Sequence, residues 1–397
     1  MSKLNRIVIV GASLAGLRAA QTLRAEAFAG EVTVVGAESH LPYNRPPLSK
    51  GVLDGEDDIA LPGADDLDSH WLHGRRAVDL RVDERVVVLD DGSAVPYDGL
   101  VIATGARARR FEHQPPGVHS LRTVEDALAL RAELTAGPRH LTVIGGGFIG
   151  SEVASTARRQ GLPVTLVDAG PYPMRETLGA HAAQWLAHHH ERNGVELVAG
   201  VRAAGFDGEA RVTAVRLDDG RQIHTDLVVA GTGVVPNTDW LRTSGLKLDD
   251  GVVTTDSLFA HGESAIVAAG DLVRWPHRHY DGALIRIEHW ANANEQGALA
   301  ARNLLAGPEA AAPYTAIPSF GTSVHGARVQ TAGLPALGDE ELVMIDEPDR
   351  LAVAFLARGV LVGAVAVNAP KDLLRLKRGI AAHATREDVA AGVAAAL

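Results

Sequence analysis

Short runs of β-branched residues, each ending on glycine, punctuate the first two thirds of the chain. Ile7-Val-Ile-Val10 runs into Gly11-Ala-Ser-Leu-Ala-Gly16, Leu17 to Ala27 is rich in Ala, Leu and Arg, and Val32-Thr-Val-Val35 follows. Apolar runs without polar alternation mark strands covered on both faces, as in a parallel sheet, so this stretch predicts a βαβ unit. The same grammar recurs further on. Leu141-Thr-Val-Ile144 leads into Gly145-Gly-Gly-Phe-Ile-Gly150, a predicted helix over Ser151 to Gln160, and Val164-Thr-Leu-Val167 ending in Asp168. Three more strands end on small residues: Leu100 to Gly105, Leu227 to Gly233, and Ala265 to Gly270 with Asp271 next. From about residue 311 the period changes to two. Arg328 to Ala332, Glu341 to Ile345, Leu351 to Leu356 and Val360 to Val367 read as strands before a helical tail, the pattern of a small α+β domain.

The repeat implies nesting. A first domain over 1–110 and 238–310 is interrupted by a second over 111–237, and a third covers 311–397, with Pro115-Pro116-Gly117 and Pro236 as punctuation. At 397 residues the chain is long enough for such a division. Its formal net charge of -11 speaks against a nucleic-acid partner, which needs a basic face. The absence of cysteine removes disulfides, protein-ligated iron–sulfur clusters and thiol redox chemistry. The apolar start runs straight into a glycine turn instead of a signal-peptide cleavage site, and no stretch reaches the roughly 18 apolar residues of a spanning helix. A cytoplasmic protein without membrane attachment is expected.

In Gly-x-Gly-x-x-Gly the first glycine makes a tight turn, the second lets backbone approach a pyrophosphate, and the third lets helix and strand pack closely. The helix N-terminus then offers N–H groups and positive dipole to phosphates. Gly145, Gly147 and Gly150 fit in full, while the first copy carries Ser13 at the middle position. Asp168 stands near the usual interval of about 20 residues for a ribose-binding acid, and Ala169-Gly170-Pro171 brings no arginine for a 2′-phosphate. NADH is therefore expected there in preference to NADPH. In the first copy Glu38 is the candidate ribose acid, with a solvated loop acid as the other reading.

Taken with Leu41-Pro-Tyr-Asn-Arg-Pro-Pro-Leu-Ser-Lys50, Ile102 to Gly105, Val143 to Glu152, Gly231 to Asn237, Ala269-Gly-Asp271 and Arg286-Ile-Glu-His-Trp290, these motifs resemble, in order, the FAD- and NADH-dependent ferredoxin reductases that serve putidaredoxin, rubredoxin and aromatic-ring dioxygenases. The likeness covers about residues 5–310 well and the rest loosely. It implies an α/β, glutathione-reductase-like flavoprotein with two Rossmann-type dinucleotide-binding domains and a C-terminal α+β interface domain. It further implies FAD on Gly11, Ser13, Leu14, Ala15, Gly16, Glu38, Arg45, Ala77, Ala103, Thr104, Gly105, Arg122 and Asp271. NADH is placed on Gly145, Gly147, Phe148, Ile149, Gly150, Asp168, Gly231, Thr232 and Gly233. Lys50, paired with Glu152, is placed beside the flavin, and Glu288, His289 and Trp290 near nicotinamide and flavin. Where disulfide-reducing relatives keep a redox cysteine, this chain has Ser49 and Lys50.

One stretch departs from the family pattern: Phe-Trp-Ser-Asp is replaced, Phe320 keeping its ring, Gly321 standing for the tryptophan and Ser323 for the acid. The resemblance implies a [2Fe–2S] ferredoxin as partner, supplying a cytochrome P450 or oxygenase, and a monomer or weak homodimer. Direct oxidation by oxygen and a nonenzymatic flavin redox sensor are the competing readings. No metal site is expected, since His188-His-His190 lies on a predicted helix where neighbours diverge by about 100°. His277 and His279 read as a solvated loop. Arg107, Arg109 and Arg110, Arg75-Arg76, and Arg375, Lys377 and Arg378 form local basic patches that read first as ordinary solvated charge, with steering of an acidic partner as the other reading.

Overall fold

In a computed structural model the chain is described at residues 4–56, 58–64 and 67–392. The outer ends of the expected first and last domains, 1–3 and 393–397, lie outside the described residues. The chain folds into two compact units, one from Met1–Asn44, Ile59–Arg107 and Val235–Pro318, the other from Arg45–Asp58, Ala108–Val234 and Ser319–Leu397.

The first unit is built on a five-stranded parallel sheet in the order Ile266–Ala268, Gly99–Ile102, Arg6–Val10, Glu31–Gly36, His70–His73. Its inner strands are buried almost end to end, which is why they read as unbroken apolar runs. Val10 pairs with Val35 and with Ile102, and Ile102 with Ala268. Gly11, Ala103 and Ala269 therefore leave the sheet at one level. Chain order reverses beside the Arg6–Val10 strand, and at such a switch point α/β sheets open a crevice at their carboxyl ends. Helices Leu14–Ala25 and Trp290–Ala306 pack so closely that a Cβ on Gly297 would collide with the Ala15 carbonyl.

The second unit repeats the plan. Its parallel sheet runs Val195–Ala199, Val164–Asp168, Leu141–Ile144, Leu227–Ala230, Val118–His119. A five-stranded antiparallel sheet from Ser319–Val324, Ala327–Gly333, Val360–Val367, Arg350–Ala357 and Glu340–Glu347 completes it. The helix Pro370–Ala381 turns Leu373, Leu376 and Ile380 inward at helical spacing. On the helix Arg175–Arg192, Leu178, Ala182, Trp185 and Leu186 join a core with Val324, Val329, Val353, Phe355 and Val365. The expected α/β class, with two Rossmann-type sheets and a C-terminal α+β region, is what the fold shows.

Both glycine-turn helices begin earlier than their patterns predict, at Leu14 and Phe148 instead of Leu17 and Ser151. The third glycine of each turn is already helical. A Cβ on Gly16 or Gly150 would strike the carbonyl oxygen of Gly11 or Gly145, so glycine is what lets the helix start against its own strand. His277 is a correction. It is fully buried at the end of the strand Val273–His277, its Nε2 at 3.0 Å from the Ala316 carbonyl, because Trp275 and His277 alternate inward while Arg274 and Arg278 point outward.

Candidate functional site

At the carboxyl edge of the first parallel sheet the chain leaves three adjacent strands through small residues. Gly11 N donates to the Val35 carbonyl at 2.8 Å, Ala103 N to Val10 at 2.7 Å, and Ala269 N to Ile102 at 2.9 Å. Gly11 has φ of +118°, and a Cβ there would overlap the Ala103 carbonyl, so the two turns touch backbone to backbone. Thr104 Oγ1 donates to the Asn237 carbonyl (2.8 Å) and Asn237 Nδ2 to the Thr104 carbonyl (2.9 Å), fixing the Ala103-Thr104-Gly105 turn. Ser13, the N-cap of Leu14–Ala25, makes no side-chain capping bond to the helix. Glu38 follows the next strand and accepts from the Tyr43 hydroxyl. Ala77 is buried at the start of Ala77–Arg81.

The same unit carries Asp271 and the Arg286–Trp290 segment. Arg286 joins them, its Nη1 donating to the Asp271 carbonyl at 3.0 Å and to Glu288 Oε1, while its Nε reaches Asp250 at 3.0 Å. Glu288 is exposed beyond this pairing. His289 is the N-cap of Trp290–Ala306, and Trp290, itself exposed, donates from Nε1 to Asn44 Oδ1 at 2.8 Å.

In the second unit Gly145 N donates to Val167 O and Gly231 N to Ile144 O, both at 2.8 Å. Gly147 has open space where a side chain would stand, and it cannot cap the helix Phe148–Arg159 that follows. Phe148, Ile149 and Gly150 form the first turn of that helix, and Thr232 and Gly233 continue past the neighbouring strand. Asp168 is held by two backbone donors, Gly146 N on Oδ2 at 2.7 Å and Gly170 N on Oδ1 at 2.8 Å. Each oxygen keeps a lone pair for a further donor.

This unit also contains Lys50 and Glu152. Glu152 lies on the Phe148–Arg159 helix and is only 5% exposed. Lys50 Nζ reaches its Oε2 at 2.6 Å, and the Lys50 side chain is 33% exposed, so the pair is buried on the acid side and open on the basic side. Two hydroxyls complete the carboxylate's shell: Ser49 donates to Oε2 and Thr322 to Oε1. A buried carboxylate is tolerated only when paired and hydrogen-bonded, and here both oxygens are engaged. Arg45 donates from Nη1 to the Arg122 main-chain carbonyl at 2.7 Å, which ties the two residues together within the same unit.

Ser49 and Thr322 are absent from the sequence-derived set. The strand Ser319–Val324 supplies the missed signal, because Phe320, Thr322 and Val324 share one face by period two. Gly321 and Ser323, the two departures from the family pattern, are exposed on the other face. The tandem histidines do lie on a helix, and His190 meets His325, with Nδ1 and Nε2 at 3.0 Å. Among the described residues no acid, histidine or cysteine group could hold a metal. Within the basic patches Arg107 pairs with Asp239 at 2.8 Å, Arg110 with Asp126 at 3.6 Å, Arg75 with Asp91 at 3.2 Å and Arg375 with Asp372 at 4.0 Å.

Two parallel-sheet edges with glycine turns, and a lysine paired with a buried glutamate in a chain lacking cysteine, define an oxidoreductase with two dinucleotide sites and no thiol relay. Residues 5–297 match the pyridine nucleotide-disulphide oxidoreductase family and residues 320–395 the reductase C-terminal family. The chain belongs to the pyridine nucleotide-disulphide oxidoreductase family, in its ferredoxin-reductase branch. It is 38% identical to the ferredoxin reductase component of chlorobenzene dioxygenase from Cupriavidus sp. (strain PS12), covering 96% of this chain and 93% of that protein. It is 37% identical to the ferredoxin–NAD(+) reductase subunit of the benzene 1,2-dioxygenase system of Pseudomonas putida, with the same coverage. The crystal structure of the covalent putidaredoxin reductase–putidaredoxin complex superposes with a TM-score of 0.89 at 31% identity, over 96% of this chain and 93% of that one.

Membership implies FAD and NAD(H), and the residues fit both. The glycine turns at Gly11–Gly16 and Gly145–Gly150 bring backbone, not side chains, to the strand ends, and in neither does a side chain cap the helix. That leaves N–H donors of the kind a pyrophosphate takes. Among the described residues no helix is long and apolar enough to cross a membrane.

Proposed function

We propose that this chain passes electrons from NADH to a [2Fe–2S] ferredoxin that feeds a cytochrome P450 or another oxygenase, acting in the cytoplasm as a monomer or weak homodimer. The observation that carries the reading is the Lys50–Glu152 pair, standing in a two-nucleotide fold where a thiol relay is impossible. When bound, FAD would supply a carrier that takes two electrons as hydride and gives them up singly, which balances one NADH and two oxidised ferredoxins against NAD+, one proton and two reduced ferredoxins. Gly11, Ser13, Leu14, Ala15 and Gly16 bind the FAD pyrophosphate through backbone N–H groups, and Arg45 supplies charge for it. Glu38 accepts from its ribose and Asp271 from its ribityl chain. Ala77, Arg122 and the Ala103–Gly105 turn complete the FAD contacts.

For NADH, Gly145, Gly147, Phe148, Ile149 and Gly150 take the pyrophosphate, while Gly231, Thr232 and Gly233 border the nucleotide. Asp168 accepts from the ribose hydroxyls. Lys50 places positive charge at the flavin ring, Glu152 orients Lys50, and Glu288, His289 and Trp290 border the nicotinamide. The segment 311–397 serves as the interface domain.

Anaerobic titration with NADH followed by an acidic [2Fe–2S] ferredoxin tests the reading. Fast flavin bleaching and ferredoxin-dependent reduction of a one-electron dye are expected. Equal NADH consumption with oxygen alone would replace the reductase by an oxidase, and slow bleaching without turnover by a sensor. Asp168→Ala is expected to raise the KM for NADH by about ten- to hundredfold, the worth of charge-assisted bonds, and to leave NADPH nearly unchanged. An unaltered NADH-to-NADPH preference in steady-state kinetics would move the ribose acid elsewhere.

A further inference from the structure

The Glu152 carboxylate is held at both ends. Lys50 and Ser49 share Oε2, and among the described residues Thr322 alone donates to Oε1. A terminal carboxylate torsion is broad and roughly two-fold, so a carboxylate bound through one oxygen can swing, whereas donors on both oxygens fix its plane. Thr322 is placed by its strand and not by this bond. The strand and the turn residue after it lie along the Phe148–Arg159 helix at three points: Phe320 against Phe148 with ring centroids 3.6 Å apart, Thr322 on Glu152, and His325 N, just past the strand, donating to Ser155 Oγ at 2.7 Å. Positions 148, 152 and 155 share one helix face. Ser49 is anchored independently, its carbonyl accepting from Thr156 Oγ1 at 3.1 Å.

We propose that Thr322 and Ser49 are positioning residues that fix the Glu152 carboxylate and, through it, the direction of the Lys50 ammonium group, so that the first strand of the C-terminal segment tunes flavin reduction. The inference rests on the reading of Lys50 and Glu152 given above. Thr322→Val keeps shape and removes only the donor, while Thr322→Ser keeps the donor.

In anaerobic stopped-flow experiments on the FAD-loaded protein, Thr322→Val is expected to lower the limiting rate of flavin reduction about tenfold. The NADH dissociation constant should stay within about twofold, as a KM-against-kcat split requires. The flavin midpoint potential should move in the direction seen in Lys50→Met, by less. Thr322→Ser should restore rate and potential, and in a Glu152→Gln background Thr322→Val should add nothing, since the two act as one unit. Where Thr322→Val melts early, Thr322→Ala carries the same comparison against Thr322→Ser. Wild-type rate and potential in Thr322→Val, or a loss that adds in full to that of Glu152→Gln, would overturn the proposal while slow reduction in Lys50→Met leaves the parent reading standing. Normal reduction in both Lys50→Met and Glu152→Gln would remove both together.

Discussion

Lys50→Met should reduce its flavin about a hundredfold more slowly than the wild type under anaerobic NADH, with FAD still bound in full. The size follows from charge stabilisation: a preorganised group facing charge that develops only as the reaction proceeds is worth roughly 10²–10³ in rate. Lys50 is well preorganised. It links two 3₁₀ turns, Pro46–Ser49 and Gly51–Asp54, the first beginning with two prolines of fixed φ. Its Nζ is tied to Glu152 at 2.6 Å and to Ser49 Oγ at 3.3 Å, and one third of the side chain remains open. Methionine keeps the length and apolar stem while removing the charge. The Gly11–Gly16 turn is untouched, so flavin absorbance should be unchanged and the NADH dissociation constant should shift by less than about threefold. Because the substitution strands a buried carboxylate, a lower melting temperature is also expected, relieved in Lys50→Met/Glu152→Gln. Slow reduction that persists in the double variant separates the two effects. A wild-type rate in Lys50→Met would leave the pair a structural ion pair only.

The parts of this molecule that were legible in its sequence are those written by local rules. A strand buried on both faces must be apolar throughout, and a backbone meeting a strand end must use glycine, so both sheets and the Gly11, Ala103, Gly145 and Gly231 edges could be read directly. Asp168 was legible for the same reason, since it ends a strand beside its own turn. Contacts between distant segments were not. Ser49 and Thr322 lie 103 and 170 positions from Glu152, and nothing in their neighbourhoods names the carboxylate they serve. His277 misled through its company: Arg274 and Arg278 suggested solvent, while the period-two alternation with Trp275 was the better guide.

The strand Ser319–Val324 shows how one period separates constraint from freedom. Its inward positions, Phe320 and Thr322, meet Phe148 and Glu152. Its exposed positions, Gly321 and Ser323, are where the ferredoxin-reductase pattern has a tryptophan and an acid. The departure therefore leaves the support of Glu152 intact and alters the surface offered outward.

Acidification is expected to weaken the second unit, because burial disfavours the charged form of His190 where it sits. It is 0% exposed, its Nδ1 faces His325 Nε2 at 3.0 Å, and its Nε2 has no hydrogen-bond partner among the described residues. Burial, with His325 and His189 alongside, pushes the His190 imidazole down to about 3, and burial with His189 and Arg158 pushes His325 down to about 4. His189 is itself lowered by burial, and it stacks on Trp185 at 4.8 Å. In the unfolded chain a histidine takes its proton near pH 6.5, so unfolding binds protons below that value. The stability is complete above about 6.5 and is lost progressively as pH falls toward the folded values. At pH 5, His190 alone accounts for about 2 kcal/mol, from about 1.36 kcal/mol per pH unit over the interval below 6.5. Against a typical stability of 5–15 kcal/mol that is a large share. His119, His140 and His277, also lowered by burial, add to the slope, so the variant comparison is what isolates His190. His190→Gln can keep one hydrogen bond to His325 without titrating. Its melting temperature at pH 7 should be at or below that of the wild type, and its fall between pH 7 and 5 should be smaller by several degrees. Parallel melting curves for the two proteins across that range would show that His190 is protonated in the fold at ordinary cost.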